Sequence, residues 1–239
     1  MADLEIIRKE IEKLEKLNNK KNHDEIVTQL QKINECFLRN VIIKINRLEI
    51  YPVEVEIYYY KEGVFGDGNC HKNELQKNNF GKLYFHRASR SKSKDSLIDT
   101  NKYGGVDVCL SISNKKSKED DYFLSVLLRS AYIKNRKGTE FITGIHIVVN
   151  RITDELENLL EEGKINIEYN IYEDENDKKT FLGGKIDNFK FECKNRKRIQ
   201  DKNFFEHEKI EKKNYDKYKL NTYIDNEKIT SKIVKPIIL

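Results

Sequence analysis

The sequence predicts an α+β fold: a curved, mostly antiparallel sheet with flanking helices, in a single domain with an N-terminal helical extension. Three observations carry this expectation. Apolar residues recur at helical spacing through the first forty positions. From Val41 the period shortens to that of extended chain. The extended stretches then follow one another through short connections, which favours antiparallel pairing over a helix-linked parallel sheet. The expected division is 1–38 for the helical segment and 39–239 for the α+β domain with its charged C-terminal region.

Taken in order, Leu4, Ile7, Ile11, Leu14 and Leu17 stand at steps of three and four among Glu and Lys, which makes residues 3–18 an amphipathic helix with Asp3 as its N-cap. Asn18-Asn19-Lys20-Lys21-Asn22 ends it. A second helix starts near Asp24 and gathers Ile26, Val27, Leu30, Ile33 and Phe37 on one side. Both read as packing elements, and the first equally as a helix that binds a protein partner or dimerises. Residues 41–45, 48–60, 82–86, 106–113, 122–133 and 141–149 read as strands because they are rich in β-branched and aromatic side chains. A helix is expected over 153–162, where Thr153-Asp154-Glu155-Leu156 has the form of a helix start, and a further strand over 165–172.

With 239 residues the chain is long enough to bury a core. Charged residues make up 36% and hydrophobic ones 38%, a polar balance, yet the apolar residues come in blocks and so argue against disorder. A formal net charge of +5 hints weakly at an anionic partner. Cys36, Cys70, Cys109 and Cys193 form no CxxC pair, so free thiols are expected rather than a zinc knuckle or a disulfide framework. The N-terminus has no apolar signal core, and no run approaches the ~18 apolar residues of a membrane helix. A cytoplasmic protein follows, with no membrane partner, no cofactor and no metal. The Ser-rich basic stretch from Arg87 through Arg90, Lys92 and Lys94 suits phosphate neutralisation, and equally a solvated loop. The basic run 194–198 divides the same way, and residues 201–219 read as a charged surface layer.

The chemistry is expected in Val53-Glu54-Val55-Glu56-Ile57-Tyr58-Tyr59-Tyr60. Its period of two puts Glu54 and Glu56 on one face and Val53, Val55 and Ile57 on the other. Two acids side by side are either a solvated face or a site. The sequel favours a site: Gly66-Asp67-Gly68-Asn69-Cys70-His71 turns a histidine back toward the acids. Gly81-Lys82-Leu83-Tyr84-Phe85-His86, Gly104-Gly105-Val106-Asp107-Val108-Cys109-Leu110-Ser111 and Leu127-Leu128-Arg129-Ser130-Ala131 follow.

In their order and spacing these blocks resemble the alkyladenine (3-methyladenine) DNA glycosylase family over roughly residues 29–133. That family runs from an apolar entry, similar to residues 33–43 here, through a Val-Glu-Thr-Glu-Ala-Tyr strand, a His turn and a Gly-Thr-Leu-Tyr-Val-Tyr strand to a Leu-Ile-Arg-Ala strand. The resemblance implies an enzyme that flips a damaged base out of double-stranded DNA and hydrolyses its N-glycosidic bond. Glu56 then activates the water and Glu54 supports it. Tyr58, Tyr84 and His86 stack on the base, His71 bonds the substrate near its sugar or phosphate, and Arg129 sits by the pocket or the DNA backbone. For each of these a structural role stands beside the functional one: Tyr58 and Tyr84 as core aromatics, His71 as a turn residue, Arg129 as the buried ion-pair partner of Glu54 or Glu56.

The chain departs from the family in ways that bear on substrate. His86 stands where the family has its second stacking aromatic, and Ser111 where it has a pocket Asn. A basic insertion replaces the tight hairpin that carries the family's wedge, leaving Tyr103 as the wedge candidate. The family's Gly-Pro segment after the Arg strand is missing. An unusual or modified base, such as those of phage DNA, fits these changes. The other expectations are a non-catalytic nucleic-acid-binding or regulatory module on the same fold and, where Glu56, His71, Tyr84 and Arg129 do not converge within one pocket, an unrelated α+β enzyme.

Overall fold

In the computed structural model, the structure describes residues 4–17, 22–72, 74–87, 103–112, 121–161, 169–182, 190–194 and 221–225. Two helices open the chain, α1 (Glu5–Leu17) and α2 (His23–Asn40). The periodicity of their apolar residues is the reason: Ile7, Ile11 and Leu14 of α1, and Ile26, Leu30, Ile33 and Phe37 of α2, are buried on one side of each helix. Asn22 caps α2, its side chain accepting from the Glu25 amide. The Asp3 cap lies outside the described residues. The apolar stripe of α1 is buried in the chain's own core, and Ile6, 43% exposed, is left outside it.

The strands are β1 (Val41–Ile45), β2 (Leu48–Tyr60), β3 (Leu83–Arg87), β4 (Tyr103–Cys109), β5 (Phe123–Asn135), β6 (Gly138–Thr143), β7 (Tyr169–Glu173), β8 (Lys190–Lys194) and β9 (Asn221–Asp225). They form one curled sheet in which every pairing is antiparallel, ordered β3-β4-β5-β2-β1-β7. At its centre the two longest strands, β2 and β5, pair along their length. Each divides its second edge between two shorter strands: β2 between β1 and β9, β5 between β4 and β6. The architecture is therefore α+β with a curled antiparallel sheet, as the sequence predicts.

One face of the sheet is the core. Val53, Val55, Ile57 and Tyr59 of β2 meet Leu124, Val126 and Leu128 of β5, and α1, α2 and α4 (Ile145–Glu161) add their apolar residues to the same cluster. The other face carries Glu54, Glu56, Tyr58 and Tyr60 of β2 by the alternation of the pleat, and Tyr51 beyond the irregularity at Val53. Two shorter helices close parts of it. α3 (Glu74–Asn78) brings Gln76 to Ser125 and Asp107. α5 (Glu175–Phe181), capped by Asp174, stacks Phe181 flat on Tyr51 with ring centroids 3.8 Å apart. Burial pushes the Tyr51 hydroxyl pKa up, and Glu49, which accepts its proton at 3.0 Å, adds to the shift.

The strand expected over 141–149 is corrected. Strand β6 ends at Thr143, and α4 begins at Ile145, eight residues before the expected helix start. Gly144, at φ 107°, makes the break. The β-branched run Ile145-His146-Ile147-Val148-Val149 becomes helical because Val148, Val149 and Ile152 bury on one side of it. The basic stretch 88–102, the run 195–200 and the charged tail 201–219 lie outside the described residues. Among those described, no helix is long and apolar enough to cross a membrane.

Candidate functional site

The strand register builds the site on the face of β2 opposite the core. Glu54 pairs with Ser130 of β5 on one side and with Tyr223 of β9 on the other; Glu56 pairs with Leu127 and Asn221. Around Glu54 the register slips twice, once on each side of it. Val53 is an extra residue on β2, where Pro52 opposes Ala131 and Glu54 opposes Ser130. Arg129 is an extra residue on β5, where Val55 opposes Leu128. The two bulges compensate, so the pleat resumes in phase on both sides. A bulge of this kind lets two successive side chains serve one face. Ser130 and Arg129 accordingly both reach the acids.

The contacts are short. Arg129 Nη1 donates to Glu56 Oε2 at 2.6 Å, and the Tyr58 hydroxyl donates to Glu56 Oε1 at 3.1 Å. Arg129 Nε lies 3.5 Å from Glu54 Oε1, close enough for an ion pair but outside hydrogen-bond geometry. Glu54 takes its hydrogen bonds from neutral donors, the Ser130 hydroxyl at 2.6 Å and the Asn221 amide at 3.1 Å. Thr143 Oγ1 continues the line at 2.9 Å from Ser130 Oγ. Glu56 is 4% exposed and Glu54 9%. Carboxylates this buried need paired donors, since transfer from water without them is costly. One guanidinium serves both acids.

A second polar cluster lies on the same face. Asp107, 2% exposed, accepts from the Ser125 hydroxyl at 2.8 Å and from Gln76 Nε2 at 3.4 Å; Gln76 also donates to Ser125 at 2.7 Å. Tyr84 pairs with Asp107 across the β3–β4 ladder. Its hydroxyl is 3.5 Å from His71 Nδ1, with the rings edge to face. Behind the histidine, Lys72 sets its ammonium 3.5 Å from the centre of the Tyr60 ring.

The structure thus brings the expected site residues together in two groups, Glu56 with Tyr58 and Arg129, and His71 with Tyr84. The row Tyr84, Asp107, Leu127, Glu56 separates them by three strand steps, roughly 14 Å at the backbone. Ser111 is buried, its hydroxyl accepting from the Leu124 amide at 2.8 Å and donating to the Leu124 carbonyl. His86 registers with Gly105 and Arg87 with Tyr103, but the side chains of His86, Arg87 and Tyr103 lie outside the described residues. So do Arg90, Lys92 and Lys94. The sequence reading missed Ser130, Thr143 and Asn221. The signal for Asn221 was present in Asn221-Thr222-Tyr223-Ile224-Asp225, a short β-prone run after a charged stretch; a bulge leaves no such trace.

Among the described residues no cluster of three or more His, Cys, Asp or Glu is arranged to hold a metal ion. No protein-family model, no curated protein and no solved structure matches this chain.

Proposed function

We propose that the chain is a DNA glycosylase that hydrolyses the N-glycosidic bond of a damaged or modified base flipped out of double-stranded DNA. The observation that carries this reading is the constellation of Glu56, Arg129 and Tyr58. In the proposed step Glu56 takes a proton from water as the water oxygen bonds to C1′. The bond from C1′ to the base nitrogen breaks, and the base leaves with its electron pair. Arg129 fixes one oxygen of Glu56 and so orients the other. The Tyr58 hydroxyl, 3.1 Å from that second oxygen, marks where a water would donate to it.

A second reading, a nucleic-acid-binding module without turnover, is favoured by the burial of Glu56 and by the engagement of both its carboxylate oxygens. Base release separates the two. Duplexes and phage genomic DNAs carrying alkylated, deaminated or hypermodified bases are incubated with the native protein and with Glu56→Gln, and DNA binding is measured in parallel. The glycosylase reading expects release by the native protein and a loss of at least about a hundredfold in the variant with binding retained. Salt-dependent binding with no release from any substrate establishes the module instead.

A further inference from the structure

At the far end of the two long strands the topology puts two tight turns side by side. The β1–β2 turn is Asn46-Arg47, closed by Ile45 and Leu48, and the β5–β6 turn is Arg136-Lys137, closed by Asn135 and Gly138. They are neighbours because Glu49 of β2 registers with Lys134 of β5, and the Lys134 ammonium binds Glu49 at 2.8 Å just beneath them. Each turn has two residues; a positive φ stands within the first, 49° at Asn46, and at the residue that closes the second, 132° at Gly138.

Arg47, Arg136 and Lys137 on these tips are exposed, and none forms an ion pair with a described residue. Nearby cations are treated differently: Lys134 is paired with Glu49 and Arg151 with Glu140. The three line one wall of a cleft of about 560 Å³ whose other wall is α4, with Asp154 and Glu155 facing in. No cation on the tips closes onto either acid. Leu48 and Leu159, both largely buried, also line it. Three like charges on adjacent tips with no ion-pair partner among the described residues repel one another, an arrangement that a bound anion relieves. Opposed charges kept apart across a gap of ligand size favour a molecule with an anion at one end and hydroxyl donors at the other.

We propose that this cleft binds a phosphorylated ribose, the chemistry shared by a mononucleotide and a sugar phosphate. The phosphate meets Arg47, Arg136 and Lys137, and the ribose hydroxyls donate to Asp154 and Glu155. In a nucleotide the base covers Leu48 and Leu159. Along β2 the cleft stands eight residues from Glu56, about 26 Å, so it is separate from the acid site and does not rest on the glycosylase reading.

The test is calorimetric titration of the full chain with adenosine 5′-monophosphate, ribose 5-phosphate and inorganic phosphate. Variants are Arg47→Ala, the double Arg136→Ala/Lys137→Ala, and Asp154→Asn, all at exposed positions, with thermal melts to confirm the fold. The expected result is saturable binding of the phosphorylated ribose, weakened about tenfold or more by either basic variant. Asp154→Asn weakens it while leaving inorganic phosphate unaffected. Tighter binding of adenosine 5′-monophosphate than of ribose 5-phosphate assigns a nucleotide, and equal binding assigns a sugar phosphate. The proposal is overturned if neither binds, if inorganic phosphate binds as tightly, or if the basic variants change nothing. Loss of short-duplex binding in those variants, with no mononucleotide bound, assigns the tips to a DNA backbone and overturns it as well.

Discussion

Arg129 and Glu56 meet at 2.6 Å although they are not cross-strand partners. Glu56 registers with Leu127, and the guanidinium arrives from a bulge two residues further along β5. The pair is therefore a product of the local break in the ladder, and it is nearly sealed from water, with the Glu56 side chain 5% and the Arg129 side chain 19% exposed.

Removing one member of such a pair strands the other. Arg129→Leu is expected to cost about 3–5 kcal/mol by urea denaturation. The double variant Glu56→Leu/Arg129→Leu is expected to recover much of that loss. Additive losses in the cycle would show that the two side chains do not depend on each other.

Glu54 depends on neutral donors. Ser130→Ala and Asn221→Ala each delete one hydrogen bond to it and are expected to cost about 1–3 kcal/mol. If Glu54→Gln is made first, the Ser130→Ala loss should shrink, because a charged acceptor gains more from its donors than a neutral one. Equal losses in both backgrounds would detach Ser130 from the acid.

Lys178 of α5 is wholly buried, its ammonium nitrogen donating to the Val41 carbonyl at 2.9 Å. Burial drives its pKa well below the usual 10.5. Between the folded and unfolded values the unfolded chain binds the extra proton, so this group's contribution to stability rises with pH across that window. Replacing it with Met removes the dependence. The melting temperature of Lys178→Met minus that of the native protein is expected to fall steadily from pH 7 toward pH 10. Tyr51 and Tyr122, whose hydroxyls burial pushes upward, are common to both proteins and drop out of the difference. A flat difference would place a charged ammonium in the folded state.

Burial pushes the Cys36 and Cys109 thiols up to about 12, with Glu173 and Glu10 adding to the first and Asp107 to the second. At pH 8 their alkylation in the native protein is expected to be slower than in urea by on the order of 10³-fold, since the thiolate is the reactive form. Mass spectrometry after timed labelling reads this directly. Prompt native labelling of Cys109 would mean that β4 opens locally.

Much of this fold is legible in the sequence because its signals are strong and local. Thirteen-residue strands with alternating valines and acids, such as β2, have one register that buries the valines. The helical stripe of α1 is equally plain. The failures have physical causes. Ile145 to Val149 is β-branched yet helical, because packing outweighs propensity. α3 and α5 are too short and too polar to show a period, although Asp174, which accepts from the Asp177 amide at 2.8 Å, left a cap signal. That Glu54 and Glu56 share a face is readable from alternation. That Arg129 and Ser130 both turn toward them is not, because a bulge is decided by the pairing of two distant strands.

Asn221 reaches Glu54 across 167 positions of chain. During synthesis, β2 and β5 emerge from the ribosome long before β9 does, and until then Glu54 holds one of its donors and lacks the other. Maturation of this face is therefore tied to translation of the distal part of the chain. A chain cut between β5 and β9 keeps most of the apolar core but deprives Glu54 of one of its two neutral donors.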